Sequence, residues 1–178
     1  QLVSTLLSRE EKPIVLDADG LNALAQLEGG QLDIHAPVIM TPHIGEYQRL
    51  AQRQGIEVKA SQVEDAAIAL AQAYGCVVVL KSHITVITNG VTTEVETTGQ
   101  VVLATGGSGD VLTGIISGLL AQYRAGGCKA GLLEAAVLGV RVHAQAGNLF
   151  AKAHGTCGML ATDLLENIPD AISSMRSN

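Results

Sequence analysis

Ala104-Thr105-Gly106-Gly107-Ser108-Gly109-Asp110-Val111-Leu112-Thr113-Gly114 is the stretch from which the rest of the chain is read. Three glycines and a serine lead into an apolar segment in which Val111, Leu112, Ile115, Ile116, Leu119 and Leu120 recur at helical spacing. A helix start offers free backbone N–H groups and a partial positive charge. Glycines let that backbone approach an anion closely, so the segment reads as a phosphate cradle. It is not a P-loop, because no Gly-Lys-Ser/Thr follows. Asp110 would repel an anion, but it fits as a base that takes a proton from a hydroxyl beside bound phosphate. The pairing points to phosphoryl transfer. The plainer alternative is a glycine-rich turn in which Asp110 caps the helix.

Outward from this stretch, strands and helices alternate. Ile14-Val15-Leu16, Val38-Ile39-Met40 and Cys76 to Leu80 are short apolar runs read as strands, the last ending at Lys81. Helical patterns follow Asp17-Ala18-Asp19-Gly20, fill Gly45 to Gln52, and run from a capping box at Ser61-Gln62-Val63-Glu64 to Tyr74, where Gly75 ends the helix. Thr85 to Thr88, Asn89-Gly90 and Val91 to Val95 predict a hairpin with a tight turn. Gly126-Gly127 breaks the chain, Leu132 to Ala153 reads as a buried helix, and Met159 to Leu165 as a final helix stopped before Pro169. The order β-α-β-α-β-hairpin-α-α-α predicts a layered α/β fold.

Ligands in such folds sit beyond the C-terminal strand ends, which here carry Asp17, Asp19, Thr41, His43 and Lys81. Asp17 and Asp19 are read either as holding Mg²⁺ through water or as capping the next helix. His43, in Thr41-Pro42-His43-Ile44-Gly45-Glu46, either donates a hydrogen bond to a substrate or belongs to a capped loop whose Glu46 favours the helix start. Lys81 is either a solvated strand exit or the start of a nucleotide wrap through Ser82, His83, Ile84 and Thr85. Arg141 and His143 interrupt an apolar helix and are read either as functional or, as the safer account, as a polar stripe on a mostly buried helix.

Bulk properties narrow the classes. The 178 residues are 47% hydrophobic and 16% charged, which excludes a disordered chain. Aromatics make up 2%, so the core is built from Ala, Val, Leu and Ile, as suits a buried parallel sheet. A net charge of −6 without a basic stripe disfavours nucleic acid. Cys76, Cys128 and Cys157 show no metal-ligand spacing, so no metal ligand is assigned and a reducing cytoplasm is expected. Neither a signal peptide nor an apolar run of about 20 residues is present, so no membrane is expected. The chain begins without Met inside an amphipathic pattern and is read as part of a longer protein.

Four motifs together carry a resemblance: Val15-Leu16-Asp17-Ala18-Asp19-Gly20-Leu21-Asn22, Met40-Thr41-Pro42-His43-Ile44-Gly45-Glu46, Val78-Val79-Leu80-Lys81 with Thr85-Val86-Ile87, and Ala104 to Gly114. In this order and spacing the chain resembles the ADP/ATP-dependent NAD(P)H-hydrate dehydratases of the ribokinase-like superfamily. Gly158 to Leu164 with Ile168-Pro169 resembles the family's closing helix. Ile44, Ser82 and Gln100 depart from the family's usual Pro, Gly and Asn. The resemblance implies one domain over residues 1–178, a ribokinase-like α/β/α fold with a mostly parallel central sheet and its N-terminal part missing. It implies that ADP or ATP, with Mg²⁺, phosphorylates the hydroxyl of hydrated NADH or NADPH, after which phosphate leaves. Asp110 matches the catalytic base and, with His43, a substrate contact. Lys81, Ser82, His83, Ile84, Thr85 and Gly109 match nucleotide contacts, and Gly106, Gly107 and Ser108 would supply amides to the transferring phosphate. A homo-oligomer and a fused or separate epimerase are further implied. The alternatives are a small-molecule alcohol kinase of the same superfamily and a non-catalytic nucleotide-binding module.

Overall fold

In the computed structural model, which describes residues 2–9, 11–27, 32–125 and 131–176, the short β-branched runs form one sheet. β1 (Ile14–Leu16), β2 (Val38–Met40) and β3 (Val77–Lys81) run parallel, with Ile14 opposite Val38 and Ile39 opposite Val77. β4 (Thr85–Thr88) and β5 (Thr93–Glu96) extend the sheet antiparallel, with Lys81 opposite Thr85 and Thr88 opposite Thr93. The order is β1-β2-β3-β4-β5. All three parallel strands therefore end on the same side, where Asp17, Thr41 and Lys81 follow.

Successive strand side chains face opposite ways, and both faces here are covered. Val78 and Leu80 join Leu16, Met40 and Val86 in a core shared with α1 (Leu2–Arg9), α2 (Ala18–Ala25), α3 (Ile44–Gln54) and α4 (Val63–Tyr74). Val77 and Val79 join Ile39 and Ile87 against α5 (Ser108–Ala125) and α6 (Leu132–His154). A third cluster packs α6 against α7 (Ala161–Arg176) and a 3₁₀ turn at Val101–Leu103. The result is the expected α/β/α layering. α5 and α6 approach closely at Gly139, where a Cβ would stand 2.5 Å from Ile116 Cγ1. Cys76 is the small buried hydrophobe expected, and burial pushes its thiol up to about 12.

Several local expectations are corrected. α2 starts at Ala18, directly after β1, with Asp17 at its N-cap; Asp17 and Asp19 therefore do not share one strand. Asp17 makes no side-chain cap bond, which removes the capping reading for it. No capping box forms at Ser61: Gln62 is the N-cap of α4 and makes no side-chain cap bond. The hairpin turn spans four residues, 89–92, because Asn89 Oδ1 accepts from the amides of Val91 and Thr92 at 3.0 and 2.8 Å. Pro169 lies inside α7 rather than ending it. Its ring displaces the carbonyl four residues back, and there Leu165 is exposed, so water can satisfy that carbonyl. Buried Leu164 and Ala171 hold the helix on both sides of the proline. The break at Gly126-Gly127 lies outside the described residues.

Candidate active site

The loop before α5 turns at Gly107, whose φ is +86° and whose added Cβ would stand 3.0 Å from Ala161 Cβ, so only glycine fits without strain. Thr105 Oγ1 donates to the Met159 carbonyl at 3.1 Å and fastens the loop to the segment before α7. Ser108 is buried, and its amide donates to the Thr105 carbonyl at 3.2 Å; Val111 donates to Gly107 at 3.1 Å. Among the described residues the amides of Gly106, Gly107, Gly109 and Asp110 find no backbone acceptor. These groups, at the positive end of the helix dipole of an 18-residue helix, are the donors an anion would need.

A fixed cation sits beside it. Lys81 Nζ lies 3.2 Å from where a Gly109 Cβ would be, so any larger residue there would press on the ammonium. The ammonium is held by Asp17 Oδ1 at 3.1 Å, while Thr113 Oγ1 donates to Asp17 Oδ2 at 2.7 Å. One carboxylate thus ties β1, β3 and α5 together. Ala18, at φ +47°, takes the chain from strand straight into helix at this corner. Burial pushes the Asp17 carboxyl up, but the Lys81 charge and the hydrogen bonds from Thr113, Lys81 and Thr41 together hold it below its ordinary value. With both oxygens engaged, Asp17 does not present the open carboxylate that the Mg²⁺ reading requires. Among the described residues no group of three or more His, Cys, Asp or Glu converges as a metal site.

The α5 start and Lys81 open onto a cleft of ≈ 510 Å³, a size usual for small-molecule sites. Ser82, His83, Ile84 and Thr85 line one side; the 3₁₀ turn, α5 and α6 line the other. The expected nucleotide residues Lys81 to Thr85, Ser108 and Gly109 are therefore brought together. Gly106, Gly107, Asp110 and His43 are not on the cleft wall. Asp110 is exposed in the first turn of α5 and makes no side-chain hydrogen bond or ion pair among the described residues.

His43 reaches the same sheet end from β2: it bridges to Lys81, whose amide donates to the Pro42 carbonyl at 2.8 Å. Its ring serves its own helix. Nδ1 accepts from the Gly45 and Glu46 amides at 2.9 and 3.3 Å, Nε2 lies 3.4 Å from Glu46 Oε1, and Glu46 Oε2 accepts the His43 amide at 2.8 Å. This is a capping box, so of the two readings of the loop the structure shows the capped one, and donation from the ring to a substrate is not what it shows. What His43 offers outward is its exposed ring surface, its side chain being 56% exposed.

Two further residues meet the site, Thr113 and His143. Thr113 carried no sequence signal beyond its place one turn after Asp110. Of the two readings open for Arg141 and His143, the structure separates the residues: Arg141 is exposed and pairs with Glu94 at 3.1 Å, whereas His143 is buried, with Nε2 3.0 Å from both Ser108 Oγ and the Ser108 carbonyl. Burial, aided by the Lys81 charge and opposed by the Ser108 bond, lowers its pKa to about 4, so it is neutral in ordinary buffers.

The NAD(P)H-hydrate dehydratase family model matches residues 1–170. The chain belongs to that family. A bifunctional NAD(P)H-hydrate repair enzyme of Thermofilum pendens is 37% identical over 179 residues, covering 100% of this chain and 33% of the relative. The chain thus spans about a third of the length of the curated relatives it matches. Among solved structures, a Bacillus subtilis ADP/ATP-dependent NAD(P)H-hydrate dehydratase co-crystallized with ATP/Mg²⁺ superposes with a TM-score of 0.77 at 28% identity, over 94% of this chain and 57% of that one. A ribokinase-like superfamily protein from Enterococcus faecalis gives a TM-score of 0.78 at 29% identity, over 98% of this chain and 57% of that one. The dehydratase resemblance and the ribokinase-like fold are borne out.

Proposed function

We propose that this chain supplies the nucleotide and phosphoryl-transfer half of a repair enzyme that returns hydrated NADH and NADPH to NADH and NADPH. The observation that carries the proposal is the set of unbonded amides at the α5 start, beside the Lys81 ammonium, at the edge of a nucleotide-sized cleft that Ser108 and Gly109 line, with Asp110 exposed at the same helix start. The family membership and the Bacillus neighbour, an ADP/ATP-dependent dehydratase co-crystallized with ATP/Mg²⁺, support ADP or ATP as the occupant.

The chemistry follows from where charge develops. The Asp110 carboxylate takes the proton of the substrate hydroxyl as its oxygen bonds to the terminal phosphorus and the bond to the leaving nucleotide breaks. The amides of Gly106, Gly107 and Gly109, with Lys81, stabilise the charge gathering on the phosphoryl oxygens. The carbon–oxygen bond of the phosphate ester then breaks, inorganic phosphate leaves with the bonding electron pair, a proton is lost from the neighbouring ring carbon, and the carbon–carbon double bond returns. His43 faces the substrate with its exposed ring, held by Glu46. Mg²⁺ would neutralise phosphate charge; the absence of a carboxylate cage among the described residues and the engaged Asp17 fit an ion that arrives on the nucleotide with its waters.

No helix among the described residues is long and apolar enough to cross a membrane. A cytoplasmic homo-oligomer working with an epimerase, fused or separate, completes the proposal; the curated relatives being bifunctional supports the epimerase. Incubating the full-length protein with hydrated NADH, Mg²⁺ and ADP or ATP is expected to restore reduced-nicotinamide absorbance. No recovery with either nucleotide overturns the proposal, and accumulation of a stable phosphorylated alcohol replaces it with a kinase.

A further inference from the structure

A histidine inside a buried helix costs desolvation unless something repays it with hydrogen bonds. His143 lies on α6 among Val140, Val142 and Ala144, is 8% exposed, and directs Nε2 at two atoms of one residue, Ser108 Oγ and Ser108 O, each at 3.0 Å. A carbonyl only accepts, so Nε2 carries the proton and the ring donates to the first residue of α5. Ser108 is then held by its amide to Thr105 and by one Nε2–H of His143 shared between its carbonyl and hydroxyl oxygens. It is the pivot at which the glycine loop becomes helix, and the next two amides, Gly109 and Asp110, have no backbone acceptor. Where those amides point is therefore set from α6.

We propose that His143 is a positioning residue that aims the amides at the α5 start at a bound phosphate. It acts through Ser108. It adds no charge to the site, because burial keeps it neutral beside the Lys81 ammonium. The inference rests on the nucleotide reading of the cleft, whose wall includes Ser108, Gly109 and His143.

ADP and adenosine separate a positioning role from a purely structural one, because only ADP carries phosphate to the amide fan. With the full-length protein, His143→Ala is expected to weaken ADP binding at least about tenfold, as loss of one hydrogen bond to a charged group does, while adenosine binding changes less than about twofold. His143→Gln, whose side-chain amide donates from nearly the place of Nε2, is expected to restore most of the ADP affinity. His143→Leu fills the volume without a donor and gives the same readout if the alanine variant does not fold. An ADP-to-adenosine affinity ratio equal to the wild-type ratio in the Ala or Leu variant overturns the inference, whatever the change in Tm. A wild-type protein that binds no ADP overturns the nucleotide reading and this inference with it; wild-type binding with an unchanged ratio in the variants overturns the inference alone.

Discussion

The starts of α3 and α5 look alike in sequence and are finished in opposite ways. Each follows a tight polar loop, each carries a glycine, and each has one carboxylate in its first turn, Glu46 or Asp110. At α3 the orphan amides of Gly45 and Glu46 are taken by the His43 ring, and Glu46, 4% exposed, returns the bond to the His43 amide. That start is closed. At α5 a left-handed Gly107 and a clamped Ser108 leave four amides open, and the carboxylate stands free in solvent. A helix start becomes a ligand site only when its amides are left unanswered, and here the difference is made by neighbours: Lys81, Asp17 and His143 at one start, His43 alone at the other.

Exchanging the two carboxylates for amides is the strongest way to break that contrast. Asp110→Asn is expected to cut turnover by about 100- to 10,000-fold, the usual range for a positioned base, with ADP affinity within a few-fold of wild type. Retained turnover would remove Asp110 from its role. Glu46→Gln should do the reverse: its amide oxygen can still accept from His43, so only the negative charge at the helix start is lost, lowering stability by about 0.3–1 kcal/mol and leaving ADP affinity unchanged; a calorimetric Tm and an ADP titration on the same sample read both.

A pH titration of stability probes the clamp on the α5 side. His143 titrates at about 4 in the folded chain against about 6.5 when unfolded. Between those values the unfolded chain binds the proton and the folded one does not, so stability falls as pH drops from about 6.5 to 4, by at most about 3 kcal/mol. His143→Gln should flatten that window. Asp17, held below its ordinary value, acts lower: its contribution is present above about 3.8 and is lost as pH falls through its folded pKa. A His143→Gln denaturation profile that still slopes like wild type between pH 6.5 and 4 would contradict the buried neutral ring.

Lys81→Met sharpens the comparison from the cation side. Loss of one charge-assisted contact, about 1.5–3 kcal/mol, should weaken ADP roughly 10- to 100-fold and destabilise the fold by leaving Asp17 without its partner. Equal ADP affinity in the variant would restore Lys81 to a mere strand exit.

Much of this was legible because strong local patterns and their packing agreed. The runs at Ile14, Val38 and Val77 are strands, and the glycine stretch does open an 18-residue helix. What was illegible depended on tertiary partners. The Ser61 pattern fits a capping box, yet α4 starts at Val63 with no side-chain cap, while the box that does form uses His43, a residue outside the Ser/Thr pattern. Pro169 stays inside α7 because apolar burial on both sides outweighs one lost bond on a solvent face. Asp17 carried no mark of Lys81, 64 residues away, nor His143 of Ser108, 35 residues away; only folding reveals which polar side chains meet.

The contrast between the two helix starts can be read directly with glycine-selective ¹⁵N labelling of the full-length protein. On adding ADP, but not adenosine, the amides of Gly106, Gly107 and Gly109 should shift, while Gly45, already bonded to His43, stays in place. A Gly45 shift equal to theirs, or no phosphate-dependent shift at Gly109, would contradict the assignment of the α5 start as the phosphate site.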